Sequence, residues 1–385
     1  MALIKPDASS FAKIKVLGIG GGGSNAINTM IEGNKIKGVE FIAINTDSQA
    51  LLANKASTKI QIGKDITKGL GSGGDPELGR KATEESRDLI HEYLIDTDMV
   101  FLAGGQGGGT YTGGAPIIAE VAKEVGALTI AVTTKPFAFE GTRRMVVAEE
   151  GIENLKDKVD TLIVIPNQRI MEVVDRKVTL LDAFKIVDGV LSQGVQGISE
   201  IITIPGLINV DFADVKAIMK NAGSSLLGIG TGVGENRAQI AVKSAIFSPL
   251  LDISIEGAKG ILFNITGGPD LTMAEVEEAA KMISQTADAD ANIIFGATID
   301  ETMTDQIKII VIATGFDESR LRLARMMARP KPPEPEGIVS EFPEEKIPLE
   351  EEKPSFAKAS EGEEELPEDE FGEEFDIPTF LRQGK

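Results

Sequence analysis

The sequence predicts an α/β protein. It is expected to have a doubly wound, mostly parallel sheet, a long central helix, a second and smaller α/β domain, and a disordered acidic C-terminal linker. Three observations carry this. Short β-rich runs alternate with helical stretches along the first half of the chain, the pattern of a parallel sheet covered on both faces. One helical stretch then keeps a single apolar side from Leu180 to Ile198, close to the 3.6 period. Finally, the last 56 of the 385 residues hold 18 acids against 6 bases, and 9 of the 17 prolines.

Taken in order, residues 1–10 are expected to be a flexible N-terminus and residues 11–178 the first domain. Its strands are predicted at 14–18, 39–45, 99–103, 128–134 and 161–165, with helices at 25–32, 76–93, 115–125 and 143–155. Residues 179–202 form the central helix, with Leu180, Phe184, Val187, Leu191, Val195 and Ile198 along one side. Residues 203–316 form the smaller domain, with strands at 225–230, 260–266, 292–296 and 307–314 and helices at 238–245 and 272–285. The linker, 317–370, is too rich in Glu and Pro to bury enough apolar surface to offset the entropy of ordering. Residues 371–385 change character: Phe371, Phe375, Ile377, Pro378, Phe380 and Leu381 gather near Arg382 and Lys385, which reads as a docking peptide on a tether or as a frayed end.

Composition removes whole classes of function. The chain has no Cys, one His (His91) and a net charge of −21. These exclude a disulfide scaffold, a thiolate metal site, a cysteine nucleophile and a multi-histidine zinc site, and they disfavour a Ser-His-Asp triad. The acidic balance argues against nucleic-acid binding. No apolar run reaches the ~18–20 residues of a membrane span, and the opening residues lack the apolar core of a secretory leader. The expectation is a soluble, cytoplasmic protein with no direct membrane insertion.

The chemistry is concentrated in glycine-rich turns. Gly18-Ile19-Gly20-Gly21-Gly22-Gly23-Ser24-Asn25 follows a strand and opens a helix. Glycines there let the backbone turn tightly and approach an anion, and the helix N-terminus offers N–H donors; a merely tight turn is the plainer reading. Gly18, Gly20 and Gly23 also satisfy G-x-G-x-x-G, so a dinucleotide site and a nicotinamide-dependent oxidoreductase stay open at this point. A second loop, Gly104-Gly105-Gln106-Gly107-Gly108-Gly109-Thr110-Tyr111-Thr112-Gly113-Gly114, repeats the strand-to-helix setting and adds hydroxyls. Two such loops on one sheet suit a polyphosphate gripped from two sides. A third, Gly69-Leu70-Gly71-Ser72-Gly73-Gly74, either closes over the terminal phosphate or is a mobile surface loop.

Gly107-Gly108-Gly109-Thr110-x-Thr112-Gly113 resembles the glycine-threonine signature of tubulin. Asn45-Thr46-Asp47, Phe139-Glu140-Gly141-Thr142-Arg143-Arg144, Asn209-Val210-Asp211-Phe212-Ala213-Asp214-Val215 and the terminal Asp376-Ile377-Pro378-Thr379-Phe380-Leu381-Arg382 are similar to motifs of the bacterial cell-division GTPases of the tubulin/FtsZ family. The resemblance runs from about residue 11 to 316 and then takes in the tail peptide.

The resemblance implies GTP and GDP as ligands. Gly20, Gly21, Gly22 and Asn25 would contact the nucleotide, with Gly23, Ser24, Asn45, Asp47 and Gly71 counted in the same set. Gly107, Gly108, Gly109, Thr110 and Thr112 would hold the phosphates. Glu140 and Arg144 would sit near the ribose and phosphates, Arg144 through its fork of donors, although the two also suit a surface salt bridge. Asn167, Phe184 and Asp188 would read the base. Guanine presents adjacent N–H donors that one carboxylate accepts, a pair adenine lacks, and Phe184 stands either on the ring or in the core. Asp211 and Asp214, with Asn209, would enter the nucleotide site of the next subunit and position the attacking water; the plainer reading of the two carboxylates is helix capping. Mg²⁺ would be held mainly by phosphates and water. The implied partners are further copies of the chain in a head-to-tail filament, and membrane-tethering division proteins through residues 371–385 at mid-cell.

Three positions depart from the family pattern. Tyr111 stands where Gly is usual, Gln106 where an apolar residue is usual, and Gly114 where Ala is usual. Tyr lacks the freedom of Gly to take a positive φ. Its side chain points away from the nucleotide, crowds the γ-phosphate, or alters the subunit contact. Lowered turnover with retained binding is the expectation. A structural filament with little or no GTPase activity is the alternative.

Overall fold

The computed structural model describes residues 12–33, 36–173, 178–204, 206–208, 210–248 and 255–316. The chain divides into a body, Met1–Pro330, and a terminal unit, Lys331–Lys385, none of which is among the described residues. The expected N-terminal arm, linker and docking peptide therefore lie outside them.

The first elements of the body are β1 (Ile14–Ile19), α1 (Gly20–Gly33), β2 (Val39–Asn45), α2 (Ser48–Ala53), β3 (Thr58–Gln61), α3 (Lys64–Thr67), α4 (Pro76–Glu85) and α5 (Arg87–Leu94). Next come β4 (Met99–Gly105), α6 (Thr110–Glu124), β5 (Leu128–Lys135), α7 (Thr142–Lys156), β6 (Thr161–Pro166), α8 (Asn167–Val173) and α9 (Leu180–Thr203). The smaller domain supplies α10 (Phe212–Met219), β7 (Gly223–Val233), α11 (Arg237–Ile246), β8 (Gly260–Gly267), α12 (Met273–Thr286), β9 (Asn292–Ile299) and β10 (Gln306–Thr314).

The strands form one sheet in the order β3-β2-β1-β4-β5-β6-β7-β10-β8-β9. From β3 to β6 every pairing is parallel, and β7 joins through a short parallel register, Thr161 opposite Gly223 to Ile163 opposite Ser225. Beyond it β10 runs antiparallel to both β7 and β8, and β9 is parallel to β8. The parallel strands are apolar on both faces, as burial on both sides requires. Val16, Ala43, Phe101 and Ile130 pack with α1, α9 and α10 on one face, whereas Leu17, Ile42, Leu102 and Ala131 pack with α5, α6 and α7 on the other. The smaller domain has its own core, in which Ala241 and Ala245 of α11 and Ile283 of α12 cover Ile261, Phe263 and Val311.

Differences from the sequence reading are local. The single helix expected over 76–93 is two, divided at Ser86, whose hydroxyl accepts from the Gly63 N–H (3.3 Å). The edge strand β3 was not foreseen; four mixed residues are too few to show a period. The first glycine run lies inside α1, which starts at Gly20 rather than at 25.

Candidate active site

β1 and β4 are neighbours in the sheet, yet α1 leaves β1 towards one face and α6 leaves β4 towards the other. Such a switch point opens a crevice at the carboxyl ends of the strands, the usual ligand position in a doubly wound sheet. A cleft of about 300 Å³ lies there. Its wall on the β1 side is Gly20, Gly21, Gly22 and Asn25, and on the β4 side Gly108, Gly109 and Thr110. Glu140 and Arg144 close one flank, and Asn167, Phe184 and Asp188 another. The two glycine loops, 18–25 and 104–114, thus face one another across a single crevice.

Thr110 ties the rim together. Its hydroxyl is 2.8 Å from that of Thr46 and 3.0 Å from that of Ser72. The Gly71 N–H reaches the Thr46 carbonyl at 3.4 Å, and Asp47 bridges to Leu70. The third glycine loop is therefore fastened to the second through Ser72, which the mobile-loop reading does not describe; Gly71 itself does not line the cleft.

Several other sequence candidates stand behind the lining. Gly23 packs against the Ala103 carbonyl, and Ser24 is buried with its carbonyl accepting from Asn54 Nδ2 (2.7 Å). Asn45 is buried and its Oδ1 accepts from the Asp47 N–H (3.2 Å), while Asp47 caps α2 through the N–H groups of Gln49 and Ala50. Gly107, at φ +88°, donates its N–H to Thr112 Oγ1 (3.0 Å), which fixes the bend of the second loop; a Cβ there would press on the Arg144 main chain.

The electrostatics of the cleft are uneven. Glu140 pairs with Arg144 at 2.8 Å and also accepts from the Phe137 N–H (2.8 Å), so the salt bridge is formed on the cleft wall itself. Burial pushes the Asp188 carboxyl up to about 7. Asn167 Oδ1 is buried without a partner among the described residues, an acceptor left for a ligand. Phe184 is part of an aromatic group, edge-on to Phe137 (5.4 Å), which stacks on Phe139 (5.0 Å). Its ring is exposed, so the core reading of Phe184 does not describe it. Among the described residues no cluster of three or more His, Cys, Asp or Glu is placed to hold a metal.

Asp211 and Asp214 are elsewhere. Phe184 and Asp188 lie in the first turns of α9, whose 24 residues span about 36 Å at ~1.5 Å per residue. The two carboxylates follow its far end. There they form a reciprocal cap on α10: Asp214 N–H donates to Asp211 Oδ1 (2.8 Å), and Asp211 N–H to Asp214 Oδ2 (3.4 Å). Asn209 lies outside the described residues.

Tyr111 occupies a place the sequence left open. It is 2% exposed, packs among the core residues beneath α6 and donates its hydroxyl to the Leu102 carbonyl (3.2 Å). Its ring edge lies where a Cβ on Gly104 would be, so Gly at 104 is what admits it. The main chain at 111 is in the first turn of α6, and its φ is not positive. The backbone conflict expected from replacing Gly is therefore absent, and burial holds the phenol well above its ordinary range. Thr134, Pro136, Val187 and Leu191 also line the cleft and were not singled out for it. Their signals were available: Val187 and Leu191 share the side of α9 that carries Phe184, and Thr134 and Pro136 end the next parallel strand.

The sequence matches the Tubulin/FtsZ family GTPase domain over residues 13–175 and the FtsZ family C-terminal domain over residues 223–317. Among solved structures, an empty FtsZ dimer from M. jannaschii is 47% identical, with a TM-score of 0.77 over 81% of this chain and 90% of that one. A tryptophan-to-tyrosine mutant of FtsZ from the same organism is 49% identical, with a TM-score of 0.77 over 80% and 92%. At 20% identity, CetZ2 from Haloferax volcanii, solved as a GTPγS-bound protofilament, shares the fold with a TM-score of 0.69 over 82% and 97%.

Proposed function

The chain belongs to the tubulin/FtsZ family of GTPases, and from that premise we propose that it hydrolyses GTP between successive subunits of a head-to-tail filament in the cell-division (Z) ring. One observation carries the reading. The cleft is lined by the first half of α9 and the Asp211–Asp214 pair follows its other end, which supports the carboxylates meeting a nucleotide bound by another copy of the chain. A contact between unlike ends does not close on itself and propagates as a filament.

The lining residues fit a guanine nucleotide. The loops around Gly20–Gly22 and Gly108–Thr110 bring main-chain N–H groups to the phosphates, with the N-terminus of α6 favouring negative charge. Arg144 exchanges part of its pairing with Glu140 for phosphate oxygens. Asp188, ionised, accepts the two adjacent guanine N–H groups, and Phe184 lies against the ring. Mg²⁺ fits the hydrated, phosphate-held mode, because the described residues offer no carboxylate cage; its contribution is to neutralise phosphate charge. Asp211 and Asp214 from the next subunit orient the attacking water and accept its proton. Tyr111 borders the cleft, but it is buried and its hydroxyl is tied to the Leu102 carbonyl, which supports turnover over a non-catalytic filament. Residues 371–385 are proposed to dock on membrane-tethering division proteins, placing a cytoplasmic filament at mid-cell.

GTP turnover per subunit measured against protein concentration, with light scattering in parallel, tests the shared site. Turnover should rise as scattering appears. Asp211→Asn caps a helix about as well as Asp, so it should keep GTP binding and thermal stability while losing about 10²-fold or more of turnover. Turnover independent of concentration, or unchanged in Asp211→Asn, sinks the model.

A further inference from the structure

Gln106 follows β4 at the start of the second glycine loop and lines the cleft. Its main-chain N–H donates to the Thr134 carbonyl (2.9 Å), so its backbone is pinned to the end of β5. Its side chain is 3% exposed, and neither Nε2 nor Oε1 has a hydrogen-bond partner among the described residues. The carboxamide lies against α7 at Gly151, where any Cβ would collide with Gln106 Oε1 and with the Thr112 methyl. Gly107 binds Thr112 Oγ1 beside it. The amide is therefore enclosed by the glycine loop, the first turn of α6 and α7.

A buried amide with its groups unpaired is expensive, and such a cost in a native fold calls for a state in which it is relieved. In the loop that follows, the Gly107 N–H is held by Thr112 Oγ1 and the Gly109 carbonyl by the Gly113 N–H, so the groups nearest in the chain to relieve it are the carbonyls of Gly107 and Gly108 and the N–H groups of Gly108 and Gly109; Gly108 and Gly109 also border the cleft. We propose that Gln106 is a positioning residue: its carboxamide is unpaired when the loop is empty and pairs with the loop backbone once a nucleoside polyphosphate is seated, so that its relief adds to nucleotide affinity. This rests on the guanine-nucleotide reading of the cleft. It also accounts for a polar residue where the family resemblance leads one to expect an apolar one.

Gln106→Met and Gln106→Leu, each in the full chain, supply the test, with thermal melts of the empty protein and GDP and GTP affinities measured together. Removing the unpaired amide should raise the melting temperature of the empty protein. The same change should weaken both nucleotides about 5- to 150-fold, the ratio corresponding to the usual cost of one unpaired buried group. A merely structural Gln moves the empty and bound states equally and leaves affinity alone. Unchanged affinity in both variants overturns the proposal, as does a lower melting temperature of the empty protein, since the amide would then be satisfied there, for instance by an internal water. If the unaltered chain binds neither GDP nor GTP, the nucleotide reading fails and takes this role with it; if it binds them and both variants bind as tightly, only the role of Gln106 fails.

Discussion

Replacing Tyr111 by Gly restores the family pattern and, on the sequence alone, should restore turnover. The structure predicts the reverse. The ring is 2% exposed and fills the space beside Gly104, and its hydroxyl donates to Leu102. Losing a buried aromatic ring costs about 3–5 kcal/mol. Placing Gly inside a helix adds about 1 kcal/mol. Together these approach a third or more of the ~5–15 kcal/mol that keeps a domain folded. For a body of this size the melting temperature should fall on the order of 10 °C or more. Tyr111→Phe loses only the hydroxyl, about 0.5–1.5 kcal/mol, because Leu102 keeps its place in the β4 ladder. Differential scanning fluorimetry and phosphate release, run on both variants, separate the cases. Tyr111→Phe should melt a few degrees lower and turn over GTP within about twofold of the parent. Tyr111→Gly should melt much lower and gain no activity. A Tyr111→Gly protein with unchanged melting temperature and several-fold higher turnover refutes the placement of the ring.

Two further predictions concern charge. Asp188 is held up at about 7 by burial, so the folded chain keeps its proton where the unfolded chain, at the ordinary 3.8, has lost it. The stability of the empty protein should therefore fall as pH rises from about 4 to 7, and GTP affinity should rise through about 7 as the carboxylate ionises; Asp188→Asn should flatten both profiles in thermal melts and in binding titrations. In the smaller domain the buried Arg237 joins Glu275 (2.6 Å), Asp270 and Asp305 (3.8 Å). Arg237 chiefly, with help from Thr272, pulls the Glu275 carboxyl from 4.5 down to about 2, so its contribution is complete above about 4.5 and lost as pH falls towards 2. Arg237→Ala should cost about 3 kcal/mol, the low end for a broken buried pair because Asp270 and Asp305 are largely exposed. Urea unfolding at pH 7 and pH 3 should show most of that difference gone at the lower pH.

Local signals made the fold readable. Apolar runs such as Val16-Leu17 and Phe101-Leu102 are continuous because both faces of the sheet are covered, and α9 declares itself by period. The cleft was readable as two glycine loops suited to grip one polyphosphate, whereas the crevice that brings them face to face needs β1 and β4 to be neighbours with helices on opposite faces, a fact of topology. The fate of Tyr111 was hidden for a similar reason. A residue judged by the φ it needs and the ligand it adjoins looked like an obstacle, whereas the partner that decides its position, Gly104, lies across the turn. Ser86 and the Thr46–Thr110–Ser72 junction are likewise contacts between segments distant in the chain, which no local period reports.

The carboxylates of α10 take the capping role in the structure, and that role leaves room for the catalytic one proposed for them. Capping uses Oδ1 of Asp211 and Oδ2 of Asp214, and each side chain is exposed, so one oxygen of each remains turned to water. The reciprocal bonds remove rotamer freedom that an isolated Asp would have to lose when the next subunit arrives. A carboxylate held in place before assembly meets a nucleotide with less entropy left to lose, the general advantage of preorganised catalytic groups. In the proposed two-subunit site, the cap would help the site form with usable geometry. It also separates the two carboxylates. Asn at 211 still accepts from the Asp214 N–H and leaves the helix start intact, whereas Ala at either position removes charge and cap together, so only the amide isolates the chemistry from the fold.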